Sequence, residues 1–251
     1  MRFPEAALLP LLLVLGGCGG SDEPRLTVSA ATSLEAPLTA YADGFDGARV
    51  RLSFAGSDQL AAQIRAGARP DVFAAANTEL PRDLHVHGLL ERPVPFASNR
   101  LVVAVPAGGA KVARFEDLAR PGVTIAAGAP SVPAGAYADR ALARLPAARR
   151  DAIARNVRDR EPDVGGVVAK VIQGAVDAGF VYATDVRGAG GKLRAIQLPA
   201  WLRPSVAYAA AVVKGTSSRH KASGFVKGLL TGRGAAALRE AGFEPPPRAV
   251  R

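Results

Sequence analysis

The 251-residue chain contains one cysteine, Cys18, so no disulfide can form within it. It also lacks an apolar run long enough to cross a bilayer as a helix, which takes about 20 residues. The longest such run, Ala6 to Leu15, is flanked by Arg2 and by Gly16-Gly17-Cys18 and has the proportions of a signal-peptide apolar region. Blocks of Lys and Arg interleaved with aromatics are missing as well. Lys and Arg number 32 against 22 Asp and Glu, a net charge of +10. The basic residues are nevertheless mostly Arg scattered through Ala-, Gly- and Pro-rich sequence, which argues against a nucleic-acid surface. Three histidines occur, His85, His87 and His220. His85-Val86-His87 places two rings on one face of a strand or in a loop. With no Cys or clustered carboxylate to complete a cation site, solvated surface positions are expected and no metal is predicted. There is no Gly-x-Ser-x-Gly elbow, no Gly-rich phosphate loop ending in Lys-Ser/Thr and no Gly-x-Gly-x-x-Gly after a strand. These absences speak against an enzyme and against a cofactor.

Leu15-Gly16-Gly17-Cys18 resembles a bacterial lipobox, in which small residues precede a Cys that is diacylated and becomes the mature N-terminus. The competing reading is a plain secretory signal with an incidental Cys. The expected organisation is a lipoprotein signal peptide over residues 1–17 and a tether over 18–25, where Gly19 to Pro24 is small, polar and turn-rich. Removing 1–17 from 251 residues leaves 234, enough for one large α/β unit or two lobes. Arg2 and Glu5 leave with the signal, so the mature net charge stays +10. An extracytoplasmic protein held to the cell membrane by its lipid is predicted, and a monomer.

Beyond the tether, Leu26 to Ala31 reads as a strand, and Thr32-Ser33-Leu34-Glu35 leads into Leu38, Tyr41 and Phe45 at helical spacing. The unit recurs: Val50 to Phe54 alternates as a strand, Gly56-Ser57-Asp58 makes a turn, and Leu60, Ala61 and Ile64 mark a helix ending near Gly67. Asp71 to Ala75 follows as a buried strand. Leu101 to Val105, Val123 to Ala126 and Phe180 to Tyr182 are further strands, and Ser205 to Val213 is the second long apolar one. Helices are expected near Phe115 to Ala119, from Pro133 to about Leu145, from Asp163 through Val176 closing at Gly179, and over Phe225–Leu230 and Ala235–Ala241. Strands alternating with helices imply an α/β fold with parallel sheet flanked by helices. The strands at 101–105 and 206–213 are natural places for the chain to pass between two lobes.

Four positions combine a small hydroxyl residue, or a Pro/Gly/Asp turn, with the start of a helix: Ser33, Ser57, Val132-Pro133-Ala134-Gly135 and Asp163-Val164. A helix N-terminus exposes unpaired N–H groups and the positive end of the macrodipole, so it can hold an anion without a cationic side chain. Taken one at a time, each position is better explained by ordinary N-capping by the Ser or Asp oxygen. Tyr182, at a strand end, reads from the residues alone as a half-buried packing residue with a wet hydroxyl.

Three segments taken in order resemble the molybdate-binding proteins of ABC importers: Ala30-Ala31-Thr32-Ser33-Leu34, Phe54 to Ile64, and Gly67-Ala68-Arg69-Pro70-Asp71-Val72-Phe73. The likeness continues through Asn99 to Val103, Val132 to Ala138, Val181-Tyr182-Ala183-Thr184-Asp185 and Ala241-Gly242-Phe243, so it runs from residue 26 to about 243. It implies a two-lobe periplasmic-binding-protein fold of type II. One lobe comprises residues 26–100 plus 206–251 and the other 101–205, each a mixed, mainly parallel sheet, with a two-strand hinge. It also implies a site without counter-charge, with Ser33 and Ser57 matching two serines, Ala134 and Val164 two amide donors, and Tyr182 a tyrosine hydroxyl. Asp185 matches a position given a structural or hinge role. Two departures stand out: Ala129 and Ser131 occupy the region where an acidic residue is common, and Gly56 stands where another Ser is frequent.

The expected function is capture of molybdate or tungstate and delivery to the membrane subunits of an ABC importer. Rival readings are a binder of sulfate, phosphate or a small organic anion, an α/β serine hydrolase using Ser33 or Ser57, and a non-transport lipoprotein. Since hydroxyls and amides do not titrate near neutrality, affinity is expected to be nearly flat from about pH 6 to 9.

Overall fold

The computed structural model describes residues 25–247. The signal peptide, Cys18 and nearly all of the tether lie outside the described residues. The chain opens with β1 (Arg25–Ala31), a single 3-10 turn at Thr32–Leu34, and α1 (Glu35–Asp43), followed by β2 (Arg49–Ala55) and α2 (Ser57–Arg65). Then come β3 (Val72–Ala75), α3 (Glu79–Val86) and β4 (Val94–Asn99). β1 lies between β2 and β3 and is parallel to both, Val28 pairing with Leu52 on one side and Val72 on the other. It is buried along nearly its whole length, as a strand covered on both faces must be. β2 sits at the edge and alternates exposed with half-buried residues.

Arg100 alone separates β4 from β5 (Leu101–Pro106), and there the chain enters a second sheet. Its elements are β6 (Ile125–Gly128), α4 (Pro133–Leu142), α5 (Ala147–Asn156), β7 (Val157–Glu161), α6 (Val164–Ile172), β8 (Ala178–Tyr182), α7 (Ala183–Gly188) and β9 (Leu193–Gln197). The chain then returns as β10 (Val206–Val212) and ends in α8 (Arg219–Leu230) and α9 (Arg233–Glu240). The strand orders are β2-β1-β3-β10-β4 and β7-β6-β8-β5-β9. In each sheet the reversed strand is the one that has just arrived from the other: β10 runs antiparallel to β3 and β4, and β5 to β8 and β9. This is the two-lobe architecture with mixed sheets.

Packing explains where sequence periodicity misplaced elements. Gly179 does not close a helix but lies inside β8, because a Cβ there would come within 2.6 Å of Val167 and 2.9 Å of Val171. α6 packs against β8 at that point, and its own end is the turn at Gly174, whose φ of 71° suits glycine. β6 begins two residues later than Val123, since Thr124 is held by Asp177 through its backbone N–H (2.8 Å) and its hydroxyl (2.8 Å). Phe115–Ala119 forms a 3-10 helix and α4 stops at Leu142. In the first lobe α8 brings Phe225 against Tyr41 and Phe45, with ring centroids 4.6 and 5.3 Å apart.

Candidate ligand-binding cleft

The C-terminal ends of β1 and β2 in one sheet face those of β6, β7 and β8 in the other, and each feeds a turn or helix start toward the gap. This is the crevice beyond the carboxyl ends of strands where open α/β folds take ligands. Ser33 sits in the 3-10 turn after β1, Ser57 is the first residue of α2, Ala134 the second of α4 and Val164 the first of α6, while Tyr182 ends β8. All five line one cavity of about 10 Å³, together with Thr32, Gly56, Pro133 and Asp163. In this form the cavity has room for about one water-sized body, and a sugar or peptide would not fit.

Hydrogen bonding shows which of these positions are spent on capping. The first intrahelical bonds of α2 and α4 are Leu60 N–H to Gly56 O (3.0 Å) and Ala136 N–H to Val132 O (2.9 Å). The amides of Ser57, Asp58 and Gln59, and those of Ala134 and Gly135, therefore lack helical acceptors. Pro133 contributes no N–H, so the first amide of α4 facing the gap belongs to Ala134. Asp163 is a true N-cap, its Oδ1 accepting from Gly166 N–H at 3.1 Å. Neither serine caps. Ser57 Oγ accepts from the buried Ala76 N–H at 3.1 Å, and Ser33 Oγ lies 3.0 Å from the Tyr208 hydroxyl. Thr32 Oγ1 and Tyr182 Oη are buried without any hydrogen-bond partner. Each such orphan costs about 1–3 kcal/mol, and both belong to residues that line the same cavity.

Among the described residues, no Arg, Lys or His lines the cavity. Burial foremost, then the neighbouring Tyr208 and Tyr137, push the Tyr182 phenol well above its usual value, so it stays protonated and able to donate. Asp185 accepts from Tyr182 N–H at 2.8 Å, and burial pushes its carboxyl up to about 7 although that bond opposes the rise.

The two departures in the sequence lie where the lobes touch. A Cβ on Gly56 would fall against the Pro162 carbonyl oxygen of the opposite lobe. Ser131 Oγ donates across the gap to Asp58 Oδ2 at 2.6 Å, and a Cβ on Gly165 would stand 2.9 Å from the Thr32 methyl. Gly56 is thus a point of close approach and more than a missing hydroxyl. The histidines are elsewhere. His85 and His87 close α3 and are not on a strand or free loop; their Nδ1 atoms lie 3.0 Å from Leu90 O and 2.8 Å from Asp83 O. His220 is exposed near the start of α8. Sequence reading missed Thr32, Asn99 and Tyr208. Thr32 carried the same signal as its neighbour Ser33, whereas nothing local marks the other two.

Residues 26–244 match the family of bacterial extracellular solute-binding proteins. The chain belongs to that family. Among its relatives is the molybdate-binding protein ModA of Mycobacterium tuberculosis, 36% identical over 227 residues that cover 88% of this chain and 85% of the relative. The solved periplasmic molybdate-binding protein of Azotobacter vinelandii superposes with a TM-score of 0.79 at 25% identity, over 88% of this chain and all of the other. The sulfate-binding protein SubI of M. tuberculosis, at 20% identity and a TM-score of 0.77 over 88% of this chain and 87% of the other, shares the fold.

Proposed function

We propose that this solute-binding protein captures molybdate or tungstate between its lobes and delivers it to an ABC importer. The observation that carries the reading is a closed, cation-free cleft into which both lobes aim hydroxyls and helix-start amides, with the Thr32 and Tyr182 hydroxyls unpartnered. Such a site suits a small dianion that accepts from every side. Ser33, Ser57, Ala134, Val164 and Tyr182 supply the donors. The lobes, residues 26–100 plus 206–251 and residues 101–205, close by bending where the chain crosses between sheets. Relatives that bind molybdate support the choice of ligand. Sulfate is smaller and would leave fixed donors too far from its oxygens. No histidine lies beside Ser33 or Ser57, which instead meet Tyr208 and Ala76 N–H, so a nucleophilic serine has no base and the protein works by binding alone. It acts outside the cytoplasm as a monomer, held to the membrane through lipid on Cys18. Persistence of acyl label in a Cys18→Ala chain would remove that anchor.

Thermal-shift measurements with molybdate, tungstate, sulfate and phosphate test the ligand. Molybdate and tungstate should raise Tm by several degrees at concentrations where the others do nothing. Equal shifts with sulfate or phosphate would overturn the assignment.

A further inference from the structure

Arginines that stand apart in sequence gather at the end of the first lobe that faces away from the cleft. Arg25 opens β1 and Arg49 opens β2. The two are paired in the parallel register, so their side chains leave the same face of the sheet on strands about 5 Å apart. Arg51, two residues along β2, leaves that face as well. All three are exposed, and with Val50 they line a surface hollow of about 360 Å³.

Like charges side by side on neighbouring strands repel and weaken the sheet. Elsewhere the protein answers its arginines with carboxylates: Asp83 meets Arg65 at 2.6 Å, Glu91 meets Arg219 at 2.5 Å and Asp139 meets Arg160 at 3.2 Å. Among the described residues, none of the ion pairs involves Arg25, Arg49 or Arg51. Their charge is left for an anion that the described fold does not supply. The tether ends at the same place. Six residues, Gly19 to Pro24, separate Cys18 from Arg25, and an extended chain of that length spans at most about 25 Å. With Cys18 in the bilayer, this end of the lobe cannot stand farther than that from the headgroups.

We propose that Arg25, Arg49 and Arg51 form a docking patch for anionic phospholipid headgroups, seating the first lobe on the membrane at the root of its tether. For its reach this rests on the lipid anchor proposed above, and it is independent of which solute is bound. The tether favours lipid over a soluble polyanion, because it keeps headgroups permanently within range. Each arginine at an anionic surface strengthens attachment about fivefold, and three together about a hundredfold. β1 and β2 run from the patch to the cleft, and seven residues of strand put their far ends about 20 Å away. That is more than two Debye lengths at physiological salt. A cleft held at that height meets a dianion at its bulk concentration, outside the layer that negative headgroups deplete.

The test is flotation with phosphatidylcholine vesicles, with and without phosphatidylglycerol, using the mature chain carrying Cys18→Ala so that no acyl group contributes. Phosphatidylglycerol vesicles should retain this chain at low salt and release it as NaCl rises, and pure phosphatidylcholine should not retain it. The triple variant Arg25→Gln, Arg49→Gln, Arg51→Gln should lose about a hundredfold in vesicle affinity, with molybdate affinity unchanged and Tm no lower, since repulsion is relieved. A control triple, Arg149→Gln, Arg155→Gln, Arg158→Gln, removes the same charge from exposed residues of the second lobe and should lose less than about threefold. Equal losses in the two triples would make net charge responsible and overturn the patch. So would a wild-type chain that floats only after Asp22→Asn and Glu23→Gln, because the tether's own carboxylates would then occupy the arginines. Single-stranded DNA that competes at the same arginines as tightly as the vesicles would overturn the choice of lipid. Trp201, the single tryptophan, belongs to the second lobe and should escape quenching by brominated lipid; quenching would overturn the seating. A natural chain that takes up no acyl label removes the anchor, a failure that the flotation result does not share.

Discussion

Individual side chains in the cleft are asked to do one thing each. Ser57 is 1% exposed, already satisfied on its acceptor side, and has a single proton to give. Its replacement by Ala leaves a buried oxyanion oxygen one donor short, and a charge-assisted bond of roughly 1.5–3 kcal/mol corresponds to a ten- to hundredfold loss of molybdate affinity. Calorimetry that finds the affinity unchanged would take Ser57 out of the site. Asp185 behaves differently, because its carboxyl is raised from 3.8 to about 7 in the folded protein. Between those values the folded state keeps a proton that the unfolded state has lost, so this group makes stability fall as pH rises from about 4 to about 7. Asp185→Asn removes the titration and keeps an acceptor for Tyr182 N–H. After discounting for relaxation around this partly buried carboxyl, about 1 kcal/mol is at stake, or about 2–4 °C in Tm. The variant should therefore gain on wild type by that amount between pH 5 and pH 8; a constant difference across that range would show that Asp185 is not raised. The same group makes a strictly pH-independent cleft less secure than its hydroxyls and amides alone suggest.

Elements reach the cleft end-on, and the start of α2 shows how closely the lobes approach. Gly56 has φ −57° and ψ 135°, a conformation open to any residue, so an added methyl group brings no backbone strain. What it meets is the Pro162 carbonyl oxygen across the gap, a contact that exists only while the lobes are shut, and the end of the Asp58 side chain on its own helix, which can turn aside. Gly56→Ala should leave the ligand-free Tm within about 1 °C, as expected of a substitution relieved by opening, while weakening molybdate at least several-fold because closure is part of binding. A fall in ligand-free Tm with unchanged affinity would show that the contact stabilises the fold and does not gate closure. At this scale the sequence was informative where burial is continuous. The runs 26–31, 101–105 and 206–213 announced strands because central strands are apolar on both faces. Edge strands gave weaker signals: β7 reads Val-Arg-Asp-Arg-Glu and β9 Leu-Arg-Ala-Ile-Gln, and neither stands out without its neighbour.

For the molecule as a whole, a net charge of +10 accompanies a cleft that is lined, among the described residues, by no cation. These two facts separate rate from equilibrium. Exposed positive charge steers a dianion and is screened by salt, whereas contacts inside the shut cleft are screened far less. Raising NaCl from about 50 to 500 mM should slow molybdate association several-fold and change the equilibrium constant by less than about threefold. Stopped-flow and calorimetric titrations at the same salt concentrations read the two separately. A steep fall in equilibrium affinity would mean that an Arg or Lys takes part in holding the ligand.

Local sequence decided the alternation of strands and helices and the placing of Ser33, Ser57, Ala134 and Val164 where chains leave strands, because turn chemistry and apolar runs act over a few residues. It did not decide whether those four starts converge, nor whether the serines are spent on capping. Convergence depends on two sheets of opposite lobes coming face to face. The fate of the serine protons depends on partners such as Tyr208, 175 residues from Ser33 and 109 from Asn99. A hydroxyl's direction is set by whichever group lies within about 3 Å in space, and only the tertiary structure brings those groups together.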